Sequence, residues 1–82
     1  MINRTEQEIM QQWGASREPL LSITCPAYNQ EAYISETLDS FLAQRTNFPF
    51  EVLVNDDAST DGTTARIALY AQQYPNIIKP VF

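Results

Sequence analysis

An α/β fold carried on a parallel sheet is what this 82-residue chain predicts, and three observations predict it. Short apolar runs at 20–25, 50–54 and 77–82 alternate with two longer stretches whose apolar residues recur at helical spacing. The connections between them are short, with no internal repeat and no low-complexity linker. Strand, helix, strand, helix, strand in that arrangement implies right-handed crossovers and parallel pairing.

Residues 1–18 read as a helical extension ahead of a domain that occupies 19–82. Thr5-Glu6-Gln7-Glu8 has the form of a capping box, in which the Thr5 hydroxyl and the Glu8 carboxylate each satisfy a backbone N–H left free by the first turn. Ile9, Met10 and Trp13 then fall close together on a helical wheel, and Gly14 ends the helix. That stripe is expected to dock on the domain. A membrane-surface helix would be basic where this one carries mixed charge.

Leu20 to Cys25 is the first strand, with Leu21, Ile23 and Cys25 on one face and Leu20, Ser22 and Thr24 on the other. Pro26, which brings no backbone donor, is expected to end it. A polar loop, Ala27-Tyr28-Asn29-Gln30-Glu31, leads to a helix over about 32–44, where Ile34, Leu38, Phe41 and Leu42 make an apolar stripe and Glu36 and Asp39 lie on the wetter side. Phe50 to Val54 is the second strand. It runs into Asp56 and Asp57 and a turn that closes with Asp61-Gly62. A second helix over about 61–73 takes its cap from Ser59, Thr60 or Asp61 and turns Ile67, Ala71 and Tyr74 inward. Ile77 to Phe82 starts a third strand, in which Pro80 fits only at a sheet edge. The whole is the first half of a Rossmann-like architecture. Three strands leave a sheet edge and apolar surface uncovered, so the chain is expected to be the N-terminal part of a larger domain.

Composition narrows the function classes. With 44% apolar and 18% charged residues the chain is of globular type. A net charge of −5 with no Lys or Arg cluster argues against a general nucleic-acid binder. Cys25 is the single cysteine, so no internal disulfide forms, and it reads as a small buried apolar residue in a strand. The absence of histidine excludes Ser-His-Asp and Cys-His triads and every His-containing zinc site from this chain. No apolar run approaches the ~20 residues of a membrane span, and no secretion signal is visible.

Two polar loops, 26–31 and 55–62, each follow a strand and precede a helix. In a parallel sheet such loops lie side by side beyond the carboxyl ends of the strands, where ligands bind. Tyr28 and the Asp56-Asp57 pair would then face one crevice. An aromatic ring can pack on the face of a heterocyclic base while a carboxylate accepts a ring N–H, and uracil, whose N–H is flanked by carbonyls, suits that arrangement better than adenine. Only Gly14 and Gly62 are glycines, so no G-x-G-x-x-G or Walker loop exists to hold phosphates. A divalent metal is the natural substitute, although its ligands are not evident. Two rivals stand at the same place. Asp57-x-Ser59-x-Asp61-Gly62 matches the first half of a calcium-binding EF-hand loop, but the twelfth position, which needs glutamate, is Ala68. The other is a purely structural acidic turn that caps a helix.

Three stretches in order, LSITCPAYNQE at 21–31, LDSFLAQ at 38–44 and VNDDASTDGT at 54–63, make the chain resemble the start of a family 2 glycosyltransferase of the GT-A fold, over about residues 19–82. The resemblance implies that Pro26 and Tyr28 contact the nucleobase and that Asp57 accepts its N–H. Glu31 sits where some members place a further nucleotide-contacting acid. Asp56, Ser59 and Asp61 are expected to shape the turn and cap the helix. Where the family often has glycine this chain has Ala58, and Asn55 replaces a usually apolar residue. The donor implied is a nucleotide-sugar, a UDP-sugar, and the acceptor a glycan or lipid-linked molecule of bacterial capsule, lipopolysaccharide or exopolysaccharide synthesis, made in the cytoplasm or at its membrane face. In the family's mechanism Mg or Mn neutralises the departing diphosphate while a carboxylate deprotonates an acceptor hydroxyl, with inversion at the anomeric carbon. Those metal ligands and that base are expected beyond residue 82. This chain would therefore hold a nucleotide without transferring sugar by itself; the alternative is a non-catalytic nucleotide- or cation-binding module.

Overall fold

The computed structural model describes residues 1–81. In chain order these form α1 (Glu6–Met10) with a 3-10 turn over Gln11–Trp13, β1 (Leu21–Ala27), α2 (Ile34–Leu42), β2 (Phe50–Asp56), α3 (Thr63–Gln73) and β3 (Ile78–Val81). The sheet has the order β1-β2-β3 and both pairings are parallel, with Leu21 opposite Phe50 and Ala27 opposite Asp56 at the two ends of the first pairing. The alternation read from the sequence is therefore a parallel sheet.

Side chains alternate along a strand, and this decides what the central strand offers to each face. Phe50, Val52, Val54 and Asp56 are buried, while Glu51, Leu53 and Asn55 between them are half-buried. Ile34, Leu38 and Leu42 of α2 and Ile67 and Tyr70 of α3 join Phe50, Val52 and Val54 in one core. Truncating a fully buried residue such as Leu38 to alanine would cost about 2–5 kcal/mol. Cys25 is buried in the same core and unpaired. On the opposite face Glu51 is an acceptor for Lys79 Nζ at 2.8 Å and for the Ser22 hydroxyl, one polar row across all three strands.

The N-terminal stripe docks. Thr5 Oγ1 accepts the Glu8 N–H at 3.1 Å and Glu8 Oε1 accepts the Thr5 N–H at 3.0 Å, which completes the capping box. Ile9 and Trp13 are buried in the common core, where Trp13 meets Phe50 edge to face at 5.6 Å. Gly14, at φ 75°, turns the chain out of the helix in a conformation other residues avoid. Glu6 then accepts the backbone N–H groups of Asn76 and Ile77, fastening the extension to the chain before β3.

Four expectations are corrected. First, β1 continues through Pro26 to Ala27. The Ala27 carbonyl accepts the Asp57 N–H, so the nitrogen of Pro26, one residue earlier, faces away from β2 and no ladder bond is lost. Pro80 obeys the same parity on β3, the other outer strand, because Ile77 O accepts the Val52 N–H. Second, both helices start later than their spacing suggested, at Ile34 and at Thr63. Before α2 the N–H groups of Tyr33 and Ile34 share the Gln30 carbonyl in a turn. Third, Asp39 is not on a wet side: it is half-buried and accepts the Ile2 N–H and the Tyr70 hydroxyl. Fourth, Tyr70 joins Ile67 and Tyr74 in the buried set on and beyond α3, while Ala71 is only half-buried. The last residue of the expected third strand, Phe82, lies outside the described residues.

Candidate functional site

The loops after β1 and β2 meet at the carboxyl edge of the sheet. They are joined by hydrogen bonds that cross between them. The Asn29 N–H donates to Ser59 Oγ at 3.1 Å, and Asn29 Oδ1 accepts the Thr60 N–H at 2.8 Å. One residue on, the Gln30 N–H donates to Thr63 Oγ1 at 2.8 Å. Glu31 closes the set in both directions: its N–H donates to Asp61 Oδ2 at 3.2 Å and its Oε1 accepts the Gly62 N–H at 2.9 Å. The Glu31 carboxylate packs so closely on Gly62 that a Cβ there would stand 2.5 Å from Oε2.

Within the second loop Asp56 is the hub. Only 7% exposed, it accepts the Ser59 N–H and hydroxyl through Oδ1 and the Thr64 hydroxyl through Oδ2. The Ser59 and Thr64 hydroxyls hold its carboxyl below the usual carboxylate range. Asp61 accepts the N–H and hydroxyl of Thr63 through Oδ1, so it satisfies a free donor of the first turn of α3 although the residue at the cap position is Gly62. The Thr63 hydroxyl lowers its pKa as well. The turn strains the backbone at one place, Ala58, whose φ of 54° is a left-handed value that favours glycine.

Alternation separates the two adjacent aspartates. Asp56 points with Val54 into the core side, and Asp57, one residue on, is exposed. Its carboxylate accepts no hydrogen bond among the described residues. It lines an open cleft of about 280 Å³ with Pro26, Ala27, Tyr28, Gln30 and Asn55, and Tyr28 is 56% exposed there. The register explains the grouping, since Pro26 lies opposite Asn55 and the next residues on the same side are Tyr28 and Asp57.

Of the residues singled out from the sequence, Pro26, Tyr28 and Asp57 are thus brought together. Glu31 is not with them. It lines a neighbouring cavity with Asn29, Ala32, Tyr33, Asp61 and Arg66. Asp56, Ser59 and Asp61 stand in the turn and hold it by the bonds described. The reading missed Asn29, whose φ of 48° and whose Oδ1, accepting both the N–H and the hydroxyl of Thr60, make it the pivot of the first loop, and the amides of Gln30 and Asn55, which line the cleft without a side-chain hydrogen bond among the described residues. Asparagine tolerates left-handed backbone better than other non-glycine residues, which was the available signal for Asn29.

A metal does not fit these residues. Among the described residues no three His, Cys, Asp or Glu side chains converge to hold one. Asp57 and Asp61, which a calcium loop would bring onto one ion, line different cavities, and Ala68 lies inside α3. Also among the described residues, no helix is long and apolar enough to cross a membrane.

Comparison with known proteins points one way. The sequence profile of Glycosyl transferase family 2 matches residues 22–79. An uncharacterized protein of Mycobacterium tuberculosis is 54% identical over 61 residues, which is 74% of this chain and 18% of the relative. Validoxylamine A glucosyltransferase of Streptomyces hygroscopicus subsp. limoneus is 46% identical over 59 residues, 70% of this chain and 13% of that enzyme. Among solved structures, the mannosyltransferase PcManGT from Pyrobaculum calidifontis, in complex with GDP-Man and Mn2+, superposes with a TM-score of 0.60 at 26% identity, covering 93% of this chain and 24% of that one. The chain thus spans about a fifth or less of the length of the curated relatives described.

Proposed function

The chain belongs to glycosyl transferase family 2, and from that premise we propose that its two-loop cleft holds the base of a nucleotide-sugar donor, a UDP-sugar. The observation that carries this is the state of Asp57: the one carboxylate in the cleft is exposed and accepts no hydrogen bond among the described residues, beside an exposed aromatic ring. Tyr28 packs on the face of the uracil, Pro26 forms the floor, and Asp57 accepts the imide N–H. Asp56, Ser59 and Asp61 keep the second loop in the shape that presents Asp57. Glu31 acts on the same site indirectly, by tying the first loop to Gly62.

In the complete protein, an acceptor hydroxyl on a glycan or lipid-linked molecule attacks the anomeric carbon, the bond to the nucleoside diphosphate breaks, and configuration inverts. The hydroxyl proton passes to a base supplied outside these residues. The product belongs to bacterial polysaccharide synthesis, at the cytoplasm or its membrane face; the similarity to an abequosyltransferase of Salmonella typhimurium, 38% identical over 56 residues, supports the sugar-transfer step. The 82-residue chain contributes nucleotide holding and does not transfer sugar alone. Two-dimensional amide NMR of the chain with and without UDP tests the reading. Shifts confined to the Tyr28 and Asp57 loops, weakened by Asp57→Asn, are expected; a dispersed spectrum indifferent to UDP would overturn it.

A further inference from the structure

Helix α1 is five residues long, with one 3-10 turn behind it. An isolated helix needs about 12–15 residues to hold in water, and a short segment beside a core stays loose unless something ties it down. The extension is nevertheless fixed from Ile2 to Trp13, so its ties are the informative feature. Two are apolar. Ile9 is 1% and Trp13 6% exposed, and Trp13 Nε1 has no hydrogen-bond partner among the described residues, so that ring is held by packing alone.

The polar ties reach three places in the fold. Arg4 joins the far ends of both long helices. Its guanidinium donates to the Leu42 and Gln44 carbonyls at 3.0 and 3.3 Å, where α2 ends, and its own carbonyl accepts the Tyr74 hydroxyl at 2.6 Å, just beyond α3. The Ile2 N–H and the Tyr70 hydroxyl meet on one oxygen of Asp39, at 3.2 and 2.8 Å. Glu6 takes the Asn76 and Ile77 N–H groups on Oε2 and the Asn76 side-chain amide on Oε1, at the entry to β3. These bonds from the extension span 37–71 residues of sequence, so none of them outlives the fold.

We propose that residues 2–13 are a structural strap and not a tether: they join the carboxyl ends of α2 and α3 to the starts of β2 and β3, and they fold and unfold with the rest of the chain as one unit. The folding unit therefore reaches back across residue 19, where sequence pattern alone divides the chain. The stretch matched by the family profile, 22–79, lacks part of its own core. Lifting the strap would uncover the ring of Phe50, which is 2% exposed, and would strip their partners from the end of α2 and from the two backbone N–H groups before β3. No residue of the strap lines the two-loop cleft, so the inference stands apart from the nucleotide reading.

The test is urea unfolding of the 82-residue chain read by two signals. Trp13 is the only tryptophan, so its fluorescence reports the strap, while circular dichroism at the helix band reports α2 and α3, which hold most of the helical residues. The two midpoints should coincide. Glu6→Ala removes three bonds and should lower both by roughly 1–3 M; Ile9→Val, a milder core change, should lower both by roughly 0.5–1.5 M. Hydrogen exchange on the wild type needs no variant: the Ile9 N–H, bonded to the Thr5 carbonyl, should exchange within about tenfold of the Leu38 N–H in α2. A Trp13 transition at lower urea than the dichroism, a variant that shifts fluorescence alone, exchange at Ile9 faster than that tenfold margin, or no cooperative transition in either signal would each overturn the proposal.

Discussion

Substituting alanine at each of the adjacent aspartates should produce opposite phenotypes. Asp56 accepts three hydrogen bonds, from the Ser59 N–H, the Ser59 hydroxyl and the Thr64 hydroxyl. At about 1 kcal/mol each, Asp56→Ala should cost on the order of 3 kcal/mol. An 82-residue chain has a total stability of about 4–12 kcal/mol, so a quarter or more of it would go. Asp57 is exposed and its carboxylate accepts no hydrogen bond among the described residues, so Asp57→Ala should stay within about 0.5 kcal/mol of wild type. Urea unfolding followed by circular dichroism reads the difference. With a slope of about 1 kcal/mol per molar, Asp56→Ala should lower the midpoint by roughly 3 M and Asp57→Ala should barely move it. Binding of UDP should show the reverse order when both variants are compared under conditions where they are folded: Asp57→Ala loses it and Asp56→Ala keeps a fraction. Equal midpoints for the two variants, or a larger loss for Asp57→Ala, would refute the assignment of one carboxylate to the turn and the other to the ligand.

Three further outcomes follow from the loops and the core. Ala58→Gly should stabilise the chain by about 1 kcal/mol in the same urea assay, because glycine takes the left-handed φ of 54° without the Cβ conflict. Gly62→Ala, at an ordinary negative φ, should push the Glu31 carboxylate off the Gly62 N–H and cost about 1 kcal/mol, and Glu31→Ala in the same background should then add little, a non-additivity that a double-mutant cycle measures. Burial, and then the bond to Asp39, push the Tyr70 hydroxyl up to about 12. Since the folded pKa exceeds the unfolded value of about 10, this contribution is intact below pH 10 and is lost as pH rises toward 12. Urea midpoints should fall over that window in the wild type by more than in Tyr70→Phe, and an equal fall in both would remove Tyr70 as the cause.

Much of the fold was legible because it rests on local pattern. Helical spacing at Ile34, Leu38 and Leu42 and the capping box at Thr5 and Glu8 are properties of a few neighbouring residues, and both are realised. What escaped depends on position in the sheet. Pro26 looks like a strand stop until β1 is known to be an outer strand whose odd-numbered residues face β2. Asp39 looks wet until α3 brings Tyr70 over it. Glu31, placed by resemblance near a nucleotide, is four residues past the end of a strand pairing that had to be seen before its side chain could be assigned to Gly62. Asn55 carried the opposite problem. Its polar side chain at a position usually apolar in the family was visible in the sequence, but only the structure shows that it lines the cleft without a side-chain hydrogen bond among the described residues.

The separation of engaged from free polar side chains has a mechanical consequence for binding. Loops are ordinarily the mobile parts of a domain, and ordering them on ligand binding subtracts from affinity. Here the ordering is already done by protein contacts: Asn29, Gln30 and Glu31 are each bonded across to Ser59–Thr63, and the α3 end of that second loop is fixed in turn by Asp61 and Thr63. Tyr28 stands beside the pivot residue Asn29, and Asp57 stands beside the hub Asp56. Each free residue is therefore carried by a locked neighbour. A change to the locked set should alter affinity by moving the cleft walls and should alter base preference little, because the groups that read the base are elsewhere. A change at Asp57 should alter base preference along with affinity, which makes base preference, rather than affinity alone, the quantity that distinguishes a residue that reads the ligand from one that holds its reader in place.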